Sequence, residues 1–234
     1  MIVAAVFCPQ PPLLVPAVAT GAAPELDGLR SACRGAIGRA GAAHPVVLLG
    51  SGPVSASHSA RSRGTLAQLG VPGEIHLGDL SRGGALDLPP SLTVGAWLVQ
   101  DALGPHSGAV AYSVGPEFGR SRAATELLER AETGDLALIV LGDGSARRTL
   151  KAPGYLDERA EAFDATVAAA LSSGDGARLE ALDADLGAQL LAAGVPAWRA
   201  AGALLAGGRY DADLLYDQAP YGVGYFLAEW TARG

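Results

Sequence analysis

Short apolar runs alternate along the chain with stretches whose apolar residues recur every three or four positions. The runs are Ile2–Cys8, 46–49, 74–77, 109–114, Leu136–Leu141 and 221–227, and each has the length and composition of a buried strand. Between them the helical period is clear. Pro24 suits a first helical turn, and Leu26, Leu29, Cys33 and Ile37 then form one stripe, which makes Cys33 a core thiol. Leu127, Leu128 and Ala131 form a second face, ended by Gly134 in the role of a positive-φ terminator. Asp157 caps a third helix, with Glu158 at the positive end of its dipole and Phe163, Val167 and Ala170 inside. Leu179, Leu182, Leu186 and Leu190 line a fourth, closed by Gly194 and Pro196. Strands alternating with helices predict an α/β fold: a single domain over residues 1–234, its central mixed, largely parallel sheet flanked by helices. No repeat, heptad or linker-like stretch divides it.

Composition narrows the function. The 234 residues carry 17 basic and 24 acidic side chains, a net charge of −7, and Lys151 is the single lysine. Such a chain has no basic field to hold a phosphate backbone, so no nucleic-acid partner is expected. The apolar start lacks a basic flank and runs into Pro9, Pro11, Pro12 and Pro16, which breaks any signal-peptide helix. No membrane partner and a cytoplasmic location are therefore expected. The two cysteines, Cys8 and Cys33, fit reduced thiols better than a disulfide scaffold.

Candidate chemistry gathers at strand ends. The 46–49 run enters Gly50-Ser51-Gly52-Pro53, and Leu136–Leu141 enters Gly142-Asp143-Gly144-Ser145. In α/β sheets ligands bind beyond the carboxyl ends of the strands, where glycine lets backbone approach closely, so both loops are expected to edge one cleft. The proline-stiffened Cys8-Pro9-Gln10-Pro11-Pro12 holds Gln10 there, and Arg147, Arg148 and Lys151 follow the second loop as candidate anion contacts. Asp143 is the candidate acid or base and Ser145 a candidate hydrogen-bond donor in catalysis. Neither loop carries a dinucleotide or P-loop fingerprint, and Ser145 lacks the nucleophile-elbow context. His44, His58, His76 and His106 are scattered, with no paired metal-ligand spacing.

Four segments, in order, resemble the class III extradiol dioxygenases of the LigB-subunit-like type, with the MEMO-type proteins as relatives. Val3–Val15 resembles the opening strand and its Pro-His-Pro-Pro turn, and Leu48-Leu49-Gly50-Ser51-Gly52-Pro53 the strand end Ser-Pro-His-Gly. Leu141-Gly142-Asp143-Gly144-Ser145-Ala146-Arg147 resembles Ser-Gly-Asp-Leu-Ser-His-Arg, followed by Pro153-Gly154-Tyr155 and Glu161-Ala162-Phe163-Asp164. Ala219-Pro220-Tyr221-Gly222-Val223-Gly224-Tyr225 resembles the closing strand.

The resemblance implies a non-haem iron(II) held by two histidines and a carboxylate, with further histidines moving protons. Here Gln10 and Ser51 stand at the two metal-binding histidine positions, Ala146 at a catalytic one, and Pro90 where a further histidine precedes Ser-Leu. The carboxylate position stays open among Asp211, Asp213 and Asp217. Amide and hydroxyl oxygens are poor substitutes for imidazole at such a centre, and alanine transfers no proton. The expectation is a protein with no metal cofactor that keeps Gln10, Ser51, Ala146, Arg147, Arg148 and Lys151 as a cleft for a small-molecule ligand or protein partner. Metal-independent enzyme chemistry centred on Asp143 is the alternative. Residual ring cleavage through His44, His58 or His106 is the remote one. The oligomers found among the relatives allow a homodimer.

Overall fold

The computed structural model describes residues 1–18, 20, 21, 23–78 and 84–233. In chain order the elements are β1 (Ile2–Cys8), α1 (Asp27–Ala43), β2 (Val46–Ser51), β3 (Ala56–His58), β4 (Arg63–Thr65), β5 (Glu74–His76), α2 (Pro90–Leu103) and β6 (Val110–Val114). They continue as α3 (Arg122–Thr133), β7 (Leu136–Leu141), α4 (Ala160–Leu171), α5 (Gly176–Glu180), α6 (Ala184–Gln189), α7 (Val195–Leu205), β8 (Tyr210–Gln218) and β9 (Tyr225–Ala232).

Seven strands form one sheet in the order β3-β6-β2-β7-β1-β9-β8, with β6, β2, β7 and β1 mutually parallel and β3, β9 and β8 antiparallel to their neighbours. The expected mixed, largely parallel α/β sheet is thus present as a single domain. Its central strand, β7, is Leu-Ala-Leu-Ile-Val-Leu and buried throughout, as a strand covered on both faces must be. Alternation divides the core in two. Val6, Leu48 and Ile139 point into the layer of α1 and α2, whereas Phe7, Val47 and Leu138 point into that of α3, α4 and α7.

Register sets the site. Cys8 and Gly50 both pair with Leu141, so β1, β7 and β2 end flush side by side. The chain leaves β1 and β2 for the α1/α2 layer but leaves β7 for the opposite one, and that reversal opens the sheet at the end of β7.

Several local expectations are corrected. The stripe from Leu179 to Leu190 is broken into α5 and α6, because the Asp183 carboxylate accepts the Leu186 N–H at 2.9 Å and starts a new helix. Gly194 and Pro196 do not close that segment; they open α7. The third helix begins at Ala160, and Asp157 instead binds Arg159 through backbone N–H and guanidinium. Gly134 ends α3 in extended backbone, φ −175°. The last strand starts at Tyr225, later than the apolar run predicts, since residues 219–222 make the turn from β8. Among the described residues no helix is long and apolar enough to cross a membrane.

Candidate functional site at the carboxyl ends of the central strands

The three expected strand ends meet. The ladder continues past β1 through the Gly142 N–H, which donates to the Cys8 carbonyl at 2.9 Å. The Gln10 N–H then donates to Asp143 Oδ1 at 2.9 Å, joining the proline loop to the loop after β7. Ser51, ending β2, lies within reach of the same segment through residue 193, to whose carbonyl its hydroxyl donates at 2.8 Å. Gln10, Ser51, Asp143, Ala146, Arg147 and Arg148 are all partly exposed, so this surface meets solvent.

The cleft is smaller than expected, because the chain itself occupies its β2/β7 side. The 190–194 segment lies across the strand ends. Its Gly194 N–H donates to the Asp143 carbonyl at 2.8 Å, and its Leu190 carbonyl accepts from the Ala146 N–H at 3.0 Å and the Ser145 hydroxyl at 3.1 Å. Glycine is needed at this crossing. A Cβ on Gly142 would lie 2.6 Å from Gly194 Cα and 2.8 Å from the Trp198 indole. Gly142 thus admits another stretch of the same backbone, while Gly144 leaves room for the Asp164 carboxylate and the Phe226 ring.

Asp143 is the most perturbed acid of the group. Crowding by protein atoms raises its carboxyl to about 7, against the Gln10 N–H, which favours the charged form. Tyr225, opening β9, has its hydroxyl raised by burial first and then by the negative charge at Asp143. Gln10 Oε1 is buried without a hydrogen-bond partner. A carboxyl raised that far is suited to exchanging a proton near neutrality.

Ser145, expected as a donor in catalysis, is fully buried. Its hydroxyl donates to Leu190 and accepts the Arg147 N–H at 3.1 Å, which makes it a brace between loops. Arg148, expected as an anion contact, pairs with Asp164 at 3.0 Å. Asp164, on α4, is 1% exposed and also accepts the Ser145 N–H at 2.8 Å. Burial raises its carboxyl, and the bonds from Ser145 and Arg148 oppose that shift. Arg148 is therefore the counter-ion of a buried acid. Lys151 is exposed, and Arg147 Nε is buried and unpartnered.

An iron(II) does not fit these residues. Where the resemblance would call for imidazoles, Gln10, Ser51 and Ala146 offer an amide, a hydroxyl and a methyl group, and the four histidines lie elsewhere. His44 caps α1 at the opposite end of the sheet, His106 precedes β6 there, and His58 and His76 lie in β3 and β5. Among the described residues no three His, Cys, Asp or Glu side chains gather to hold a metal. Asp211, Asp213 and Asp217 lie on β8, the edge strand, two strands removed from β7's neighbour β1.

Two features escaped the sequence. One is a Ser–His–Asp string at the β3 edge, with Ser113 Oγ 3.1 Å from His58 Nε2 and Asp87 Oδ2 3.5 Å from His58 Nδ1. Its atom order is that of a hydrolytic relay. Ser113, however, is 1% exposed and its proton goes to the Val54 carbonyl at 2.8 Å, and His58 Nδ1 makes no hydrogen bond to Asp87, so what remains is a Ser113–His58 contact that braces β3 on β6. The other is a cavity of about 930 Å³ between α3 and α7, walled by Val114, Leu128, Ala193, Arg199, Ala203 and Leu204 among others. None of Gln10, Ser51, Asp143, Ala146, Arg147, Arg148 or Lys151 lines it. Neither a protein-family model nor a curated protein matches the chain.

Proposed function

We propose that this chain is a LigB-like relative of the class III extradiol dioxygenases whose iron site is degenerate, and that it works as a metal-free protein binding a small molecule at the ends of β1, β2 and β7. The observation that supports this most is the hydrogen-bonded seating of residues 190–194 on the Asp143 loop, with Gln10 and Ser51 beside it at the positions of the absent histidines. A centre built that way has backbone where a coordinated ion needs room. The remaining polar equipment, the Asp143 carboxyl and the Gln10 amide, suits recognition of a ligand by hydrogen bonds. Elemental analysis of the purified protein tests the metal-free part: substoichiometric iron, manganese, zinc and copper are expected, and one tightly held ion per chain overturns it. Thermal-shift screening against catechols and small carboxylates tests the binding part. A stabilising compound whose effect survives unchanged in Asp143→Asn does not use this site.

A second reading, metal-independent catalysis in the same place, is favoured by Asp143 alone, whose carboxyl at about 7 stands ready as acid or base near neutral pH. Turnover of a screening hit should then follow one ionisation near that value and vanish in Asp143→Asn. Unchanged turnover in the variant removes this reading.

A further inference from the structure

We propose that the groove between α3 and α7 is a second, separate ligand site, for an amphipathic carboxylate with an apolar chain or ring body. Residues 191–193 form part of its wall and also belong to the segment seated on the Asp143 loop, but neither Asp143 nor Gln10 lines it. The volume, about 930 Å³, lies at the upper end of the range of small-molecule sites. The void has a cause in the sequence. Both helices pack on the same sheet face, but α7 turns Ala200 and Ala203 toward the gap and α6 adds Ala184 and Ala188, so short side chains leave space that larger ones would fill.

The chemistry of the walls selects the ligand. Most of the lining is alanine, glycine, valine or leucine, which favours an apolar body. Three charged residues reach it. Glu117 stands 3.8 Å from Arg120, and Glu180 is exposed to solvent. Arg199 is half-buried and has no carboxylate within ion-pairing distance among the described residues; one of its nitrogens is bound to the Leu182 carbonyl. The lining thus holds two acids at its exposed rim and one half-buried guanidinium in no direct ion pair, and that guanidinium is the group that can take an anionic head through its planar fork. The mouth is also built under backbone strain. Of the three non-glycine residues with positive φ among the described residues, two border this groove: Glu117 at φ 54° and Leu191 at φ 57°, the latter with its apolar side chain 47% exposed. Such conformations persist where surrounding contacts enforce them, and they concentrate at ligand clamps.

Titration calorimetry with dodecanoate, dodecanol and dodecyltrimethylammonium, below their aggregation thresholds, tests the assignment. Dodecanoate is expected to bind at one site per chain, at least about tenfold more tightly than either analogue. Arg199→Gln should abolish that preference and Arg199→Lys restore part of it. Ala203→Trp, a surface helix substitution whose folding is checked by its melting curve, should block all three, while Asp143→Asn should leave dodecanoate binding unchanged. Absence of binding, equal affinity for all three head groups, or binding indifferent to Ala203→Trp overturns the proposal. So does a concentration-dependent dimer in light scattering that Ala203→Trp dissociates, which assigns the groove to a second copy of the chain.

Discussion

Asp143 links stability to pH with a definite sign. Its carboxyl is raised from 3.8 to about 7, so the folded state binds the proton more tightly than the unfolded chain. Between those values stability falls as pH rises, and below about 4 the penalty disappears. Asp143→Asn keeps an acceptor for the Gln10 N–H but has no charge to bury. We expect it to match the parent near pH 4 and to exceed it at pH 8 by up to ~4 kcal/mol, read from denaturant midpoints. Arg148→Met acts oppositely. It leaves Asp164 buried and uncompensated, and a loss of ~3–5 kcal/mol at neutral pH is expected in the same assay. Ser145→Ala strands the Arg147 N–H and should cost ~1–2 kcal/mol, without changing the affinity of a ligand held at the Asp143 surface. At this scale the sequence was legible where chemistry is local. Gly-Asp-Gly after an apolar run announces a strand-end carboxylate, but nothing in the string 145–148 reveals that Arg148 turns to an acid sixteen positions later. Asp164 carries a faint signal, an acid adjoining the apolar face of Phe163 and Val167, which an unpaired carboxylate could not occupy.

Among the elements, the connection between α6 and α7 has the largest effect on the site and the weakest trace in the sequence. Leu-Leu-Ala-Ala-Gly reads as the continuation of a leucine stripe; only tertiary hydrogen bonds to Asp143, Ala146 and Ser51 turn it into a cover over the ends of β2 and β7. Gly142→Ala drives a methyl group into Gly194 and the Trp198 ring. We expect ~1–3 kcal/mol of destabilisation and faster amide exchange across residues 190–194 than in the parent. The strands β1, β2, β6 and β7 were recognisable because burial on both faces demands unbroken apolar runs. β8 was not, because Tyr-Asp-Ala-Asp-Leu-Leu-Tyr-Asp-Gln is an edge strand with alternate exposure, and its acids suggested ligands before they suggested a strand. β3 and β4 have three residues each and borrow their pairing from neighbours, whereas β5, equally short, falls within the apolar run 74–77.

For the molecule as a whole, the sheet order determines which parts of the chain depend on which. Trp230 on β9 stacks 5.0 Å from Phe7 and 5.7 Å from Tyr210, and its indole N–H donates to the Leu171 carbonyl at 2.6 Å. Removing β9 exposes one side of β1 and opens the core between both. A chain ending at Gln218 is therefore expected to show no cooperative unfolding transition by circular dichroism, whereas Trp230→Phe should retain one with ~1–3 kcal/mol less stability. The fold class was legible from the alternation of strand and helix patterns. The order of strands was not, since it rests on pairings between residues far apart in the chain. That order has a consequence during synthesis. Ala5 is aligned with Leu138 on one side and with Trp230 on the other, so β1 is synthesised well before β7 and longer still before β9. At roughly 5–20 residues per second the interval between β1 and β9 is roughly ten to forty-five seconds, during which the β9 side of an apolar strand stays unpaired and open to wrong partners.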